Sequence, residues 1–372
     1  MKTLSGGIVR ADGTLIRGQL TFSDRIVEVH PAAVPSRDYL LPGLIDLQVN
    51  GSHGIDVMSA DASALAALGH HLAREGTTAW LPTAVTSPIE RIEGAHAAIA
   101  EAIAAASHPE RAGESAVILG MHLEGPFISP HRLGAHPPLN LDPVGDVFER
   151  VAAMSALRLI TMAPELTGAL DAIRRLVARG VTVSIGHTNA TLEEARAGID
   201  AGARMFTHLF NAMRPLGHRD PGVIAAALAQ SAAIAAVIPD GVHLHPEILR
   251  LVYHARGMSG MMLTTDKVAL AGAAGAPARA GPARATIDRG AARLGDGTLA
   301  GSIISLLDGV RLMVGAAGVT VGQAAVMAAT NPANVLGMRD RGRLEAGARA
   351  DLIVLAPELE LKAVFVGGRE IS

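Results

Sequence analysis

Short apolar runs alternate with turn signals at both ends of the chain and with longer Ala-rich stretches in its middle. Residues 1 to about 43 show the first texture, as in RADGTLIRGQLTFSDRIVEV, where Asp12-Gly13 is a hairpin signal. The C-terminal GRLEAGARADLIVLAPELELKAVFVGGREI repeats it, with Gly367-Gly368 as a second hairpin. Two β segments at opposite ends predict one small β-sandwich domain built from both termini, residues 1–43 and 336–372. Between them, runs such as AVILGMHLEG, LRLITMAPE, VTVSIGHTN, RMFTHLF, IAAVIPDG and MMLTTD alternate with helical stretches at Ala62–Glu75, Ile89–Ser107, Ala169–Arg179 and Leu192–Ala201. Repeated strand–helix alternation predicts parallel βα units. Residues 44–335 then make an α/β fold, a (β/α)8 TIM-like barrel of roughly 250 residues plus loops. The alternative is an open doubly wound sheet, but no Gly-x-Gly-x-x-Gly follows an early strand, which disfavours a dinucleotide site.

Composition narrows the chemistry. Hydrophobic residues make up 49% of the 372, enough for a well-filled core. A net charge of −3 with scattered charges lacks the basic stripe of a nucleic-acid binder. There are no cysteines, so any metal must use histidine and carboxylate ligands. The opening MKTLSGGIVRADG has no signal-peptide core, and the most apolar stretch, Gly222 to Ile238, contains Gln230 and Ser231 and falls short of a membrane span. A cytoplasmic protein is expected.

In a parallel barrel the chemistry gathers at the C-terminal ends of the strands. The run VILGMHLEGPF ends in Glu124 before a Gly-Pro break, and VTVSIGHTN carries His187 just before Thr191 and Glu194, which have capping-box spacing. His208 lies in the next apolar run, and GMMLTTD ends in Asp266. Each alone has a plain explanation: a solvated carboxylate, a loop histidine, a core histidine, an N-cap aspartate. Together, at the ends of four strands, they have the composition of three metal ligands with an open water position and a carboxylate base. His136, Arg219 and His243 stand in the same loops, while His122 and His245 are given no direct role.

The ordered motifs HLEGPF, MAPE, GHTNAT, THLFNAM, DPG, DGVHL, TTD and GTLAGS resemble those of the N-acetylglucosamine-6-phosphate deacetylases of the amidohydrolase superfamily. The resemblance runs from LPGLID near residue 41 to GRLEAGARADLIVL near 355. It implies metal-dependent release of acetate from N-acetylglucosamine 6-phosphate, with metal-activated water as nucleophile and Asp266 as general base and acid. It further implies Glu124, His187 and His208 as ligands of one divalent metal per subunit. Zn²⁺ suits that set, as do Fe²⁺ and Co²⁺. By the same resemblance His136 polarises the acetamide carbonyl, His243 and Arg219 bind phosphate, and the backbone at Asn211 and Ala212 holds the sugar phosphate. Arg219 would come from the partner subunit of a homodimer. Lys267, directly after Asp266, departs from the small residue common in the family and is expected to point to solvent, the alternatives being contact with substrate or a lowering of the Asp266 pKa by its charge. The galacto epimer is the neighbouring substrate. Other readings are a related amidohydrolase of N-acyl amino acids and a non-catalytic barrel scaffold.

The first barrel run, LPGLIDLQVNG, holds Gln48 and Asn50 where many barrel metallohydrolases carry His-x-His. The expectation is a single metal, with Gln48 and Asn50 orienting water or the groups around the ligands. His53 is not placed to restore a ligand.

Overall fold

Eight short strands run parallel in sequence order: Leu44–Val49, Thr77–Val85, Met121–Glu124, Leu157–Met162, Thr182–Ile185, Met205–Phe206, Ile234–Val237 and Met261–Leu263. Each pairs with the next along one sheet. The computed structural model describes residues 1–106, 113–229, 232–273, 279–280 and 283–372. Ile45, Leu47, Ala79, Leu81, Leu159, Met205, Ala236 and Met262 form one buried cluster drawn from six of these strands, which is the filled barrel interior. A larger cluster joins the outer strand faces to the surrounding helices through residues such as Leu68, Leu72, Leu176 and Ile185.

Between the eighth strand and the first, the described residues form no regular ladder, and a buried carboxylate closes the seam. Asp46 accepts from Thr264 Oγ1 at 2.7 Å, Thr265 Oγ1 at 2.6 Å and the Thr265 amide at 3.2 Å. It also accepts from the Gln48 amide at 3.2 Å. Above it, the amides of Asn50 and Gly51 donate to the Lys267 carbonyl at 2.8 and 3.1 Å. The seam therefore fixes the two segments that carry Gln48, Asn50 and Asp266.

The helices lie close to their expected spans, at Ala62–Arg74, Ile89–Ala106, Ala169–Ala178 and Leu192–Asp200. Ser107, expected as the end of the second, lies outside the described residues, as do Gln230 and Ser231. Thr191 and Glu194 form the predicted capping box. Among the described residues, no helix is long and apolar enough to cross a membrane.

Strands from both termini share one seven-stranded sheet that is antiparallel except where Lys2–Val9 meets Tyr39–Pro42. Asp12-Gly13 and Gly367-Gly368 turn its hairpins, with all three glycines at positive φ. The sheet curls on itself: Phe22 and Phe365, from strands far apart in its order, meet edge to face at 5.3 Å. Their contact lies in a separate core with Ile8, Leu20, Leu40, Leu352 and Val354. An antiparallel hairpin, Ala283–Asp288 with Ala291–Leu294, follows the eighth barrel strand and was not foreseen from the alternation of runs.

Candidate active site

Glu124 is the last residue of the third strand; His187 and His208 stand two residues beyond the fifth and sixth; Asp266 stands three beyond the eighth. His187, His208 and Asp266 have φ of 46°, 27° and 51°. Such backbone costs on the order of 1–3 kcal/mol at a non-glycine residue and persists where packing over-determines it. At Asp266 the supporting backbone is close. The Ser302 amide donates to the Asp266 carbonyl at 2.9 Å, and a Cβ at Gly301 would lie only 2.6 Å from that oxygen.

The four side chains line one cavity of about 400 Å³, together with Asn50, His136, Asn211, Ala212 and His243. Glu124 is its hub. Oε1 lies 3.0 Å from His208 Nε2 and 3.4 Å from His187 Nε2, and Oε2 lies 3.4 Å from His136 Nε2. Burial opposes its charge, but the surrounding imidazoles of His136, His187 and His208 outweigh that and hold its carboxyl well below the usual range. Burial also pulls His208 down, yet the Glu124 hydrogen bond and charge raise it overall. His136 is lowered by burial and then by the neighbouring His187.

The donor set fits a cation. His187 Nδ1 lies 2.9 Å from the Arg132 carbonyl, which only accepts, so Nδ1 carries the proton. In the neutral ring Nε2 is then a lone pair facing a carboxylate oxygen. Two acceptors pointed at each other call for a positive charge between them, and a histidine tied back to a carbonyl is the usual orientation of a metal ligand. The ligand atoms of Glu124, His136 and His187 all lie within 4.8 Å of one another. His208 Nε2 reaches the group through Glu124 Oε1, 3.0 Å away.

Gln48 and Asn50 tie the carboxylates together. Gln48 Nε2 donates to Glu124 Oε1 at 2.8 Å and to Asp266 Oδ1 at 3.2 Å. Asn50 Nδ2 donates to Asp266 Oδ1 at 2.6 Å. Both donors fall on one oxygen of Asp266, leaving the other without either of them. The amide oxygens of both residues are buried with no hydrogen-bond partner in the structure. Burial raises the Asp266 carboxyl, and the Glu124 charge adds to this, to about 6; His208, His243 and the Asn50 hydrogen bond oppose the rise.

His243 is held by Asp240 through Nδ1 at 2.6 Å, a partner three residues upstream that sequence reasoning missed. His136 Nδ1 lies 2.8 Å from Thr86 Oγ1, also unforeseen. Glu165 receives Thr188 Oγ1 and the Asn189 amide, bracing the loop after His187. His122 is fully buried below the site on Thr161, and burial lowers it to about 4. His245 caps the helix Pro246–Arg256. His53 stacks on His71 with ring centroids 4.0 Å apart and takes no place in the cavity.

One expectation changes. Lys267 does not point to solvent: it is 2% exposed, and its Nζ donates to Glu75 at 2.5 Å in the layer behind the barrel wall. The chain turns at Asp266, so the next side chain leaves the cavity. Arg219 is exposed, contacts His218, and is not among the cavity-lining residues of its own chain.

A parallel barrel with a carboxylate, imidazoles and an elevated aspartate gathered at its strand ends defines a hydrolase, and the chain belongs to the amidohydrolase family, whose model matches residues 39–371. Within it, the chain is similar to amino-sugar-phosphate deacetylases. It is 36% identical over 375 residues to N-acetylgalactosamine-6-phosphate deacetylase of Escherichia coli O157:H7, covering 98% of this chain and 97% of the relative. It is 36% identical over 335 residues to N-acetylglucosamine-6-phosphate deacetylase of Bacillus subtilis (strain 168), covering 88% of this chain and 83% of the relative. A mutant of the Mycobacterium smegmatis N-acetyl-D-glucosamine-6-phosphate deacetylase, solved with N-acetyl-D-glucosamine-6-phosphate, superposes with a TM-score of 0.92 at 34% identity, covering 100% of this chain and 99% of that one.

Proposed function

We propose that this chain hydrolyses the acetamide of N-acetylglucosamine 6-phosphate, giving glucosamine 6-phosphate and acetate. The observation that carries this reading is one cavity holding Glu124 within 3.0–3.4 Å of three imidazole nitrogens, beside an aspartate raised to about 6. Glu124, His187 and His208 hold one divalent metal, Zn²⁺ by preference for this set. When bound, that ion supplies Lewis acidity that brings the pKa of water towards about 7.

Asp266 takes the proton of the attacking water on its free oxygen, while Gln48 and Asn50 fix the other. His136, in the tautomer with its proton on Nε2, donates to the oxygen that gains charge as the carbonyl is attacked. Such a donor is worth roughly 3 kcal/mol. Asp266 then returns its proton to the nitrogen as the C–N bond breaks, so the leaving group is an amine rather than an amide anion. A carboxyl near 6 suits both directions of transfer near neutral pH.

The sugar phosphate is oriented by His243, by backbone amides at Asn211 and Ala212, and by Arg219 from the partner in a homodimer. The exposed position of Arg219, outside its own cavity, supports that last role. A phosphorylated substrate does not cross membranes freely, which favours a cytoplasmic location. We place the division between the terminal β domain and the barrel at residues 43 and 336.

The Escherichia coli relative's name supports a second reading, the galacto epimer as substrate. Acetate release from both 6-phosphates, with unphosphorylated N-acetylglucosamine as control, separates the two. Asp266→Asn should lower kcat by about 10²–10⁴ in either case; unchanged turnover in that variant refutes the base assignment.

A further inference from the structure

Among the described residues that line the cavity, Arg293 is the only arginine or lysine. It stands on the strand Ala291–Leu294 of the hairpin inserted after Asp266. The turn of that hairpin packs beside the segment that carries His243: a Cβ at Gly290 would touch Val242, its neighbour, at 3.6 Å. Arg293 Nη1 donates to the Gly297 carbonyl at 3.0 Å, which fixes the direction of the side chain. Its Nε is buried and makes no hydrogen bond in the structure. A carboxylate, Asp288 Oδ2, lies 3.8 Å from it and is 58% exposed, so water screens that pair.

The rest of the cavity offers a dianion little permanent positive charge. Glu124, Asp266 and Asp56 line it with carboxylates, and its other cationic candidates are histidines. A guanidinium keeps its charge at all working pH and offers five donors in a planar fork matched to phosphate oxygens. We infer that Arg293 binds the phosphate of the substrate from within the same chain, beside His243. This rests on the proposed amino-sugar-phosphate substrate. It gives each cavity a cation of its own, so phosphate recognition does not depend wholly on Arg219 of a second subunit.

The test compares wild type, Arg293→Ala and Arg293→Lys on N-acetylglucosamine 6-phosphate and on unphosphorylated N-acetylglucosamine, with zinc present throughout. A lost charge-assisted hydrogen bond predicts that Arg293→Ala raises KM for the phosphorylated sugar roughly 10- to 100-fold. The ratio of kcat/KM for phosphorylated over unphosphorylated sugar should fall by the same factor, kcat should hold within about threefold, and Arg293→Lys should lie between. Inorganic phosphate should compete more weakly against Arg293→Ala than against wild type. A side chain that only braces the Gly297 turn would lower both substrates equally and leave that ratio unchanged, which overturns the inference. Wild type that releases acetate from neither sugar overturns the substrate reading and the inference with it; wild type active on the phosphorylated sugar with an unchanged ratio in the variants overturns the inference alone.

Discussion

Replacing Asn50 by Asp changes one atom type at the most sensitive contact of the site. Asn50 Nδ2 now donates to Asp266 Oδ1 at 2.6 Å. The variant puts a carboxylate oxygen there, with the same shape and a new negative charge. Two carboxylates about 4 Å apart at an effective dielectric of about 20 repel by roughly 4 kcal/mol. At 1.36 kcal/mol per unit, that moves the pair's upper pKa by about 3 units. Asp266, already raised to about 6 by burial and Glu124, would then ionise only near pH 9. The base works in its ionised form, so its limb of the pH–rate profile rises with pH, and the variant's limb moves to higher pH. At pH values below both limbs kcat/KM should fall by up to about 1000-fold, and the deficit should close as pH is raised. A bound cation lowers the base in both proteins and leaves the difference between them. The assay is kcat/KM for acetate release from pH 5 to 10, with metal content measured alongside because the new carboxylate is also a new ligand. Asn50→Leu removes the donor without adding charge and should shift the limb by only about 1 unit. An unshifted limb in Asn50→Asp, with one metal still bound, would refute the role given to Asn50 and Asp266.

Other perturbations test the framework around the site. Asp46→Ala strands the hydroxyls of Thr264 and Thr265 in a buried seam and should cost about 3–5 kcal/mol in urea unfolding, with Asp46→Asn costing under about 2. Glu75→Gln leaves the 3%-exposed Lys267 side chain without its counter-charge and should destabilise by about 3–5 kcal/mol; Lys267→Met should cost much less, because Glu75 is 26% exposed and can hydrate. Stripping metal with a chelator should abolish turnover and lower the melting temperature, and added Zn²⁺ should restore both, since a ligand bound only by the folded state stabilises it.

The barrel was legible because its strands are buried on both faces, so each run ends where the chain leaves the wall and a polar side chain can face the cavity. Glu124, His187, His208 and Asp266 each stood at such an ending. The helices were legible through apolar spacing and caps such as Thr191 with Glu194. What stayed hidden depends on pairings across the chain. Asp46 sits inside an apolar run, and nothing local shows that it meets Thr264 and Thr265 more than two hundred residues away. Lys267 finds Glu75 only because the chain turns at Asp266, a positive-φ position that the sequence does not mark with glycine. Arg293 lies on an Ala- and Arg-rich hairpin with no period of its own. Gln48 and Asn50 were recognisable as replacements for imidazoles. That their amides hold Glu124 and Asp266 became visible only with the strands closed into a ring.

Acetate release from N-acetylglucosamine 6-phosphate, measured while Zn²⁺ is titrated into metal-free protein, tests the central claim most directly. The account predicts turnover that climbs with added metal and levels off at one equivalent per chain. Saturation at two equivalents, or no acetate at any metal level, would contradict it.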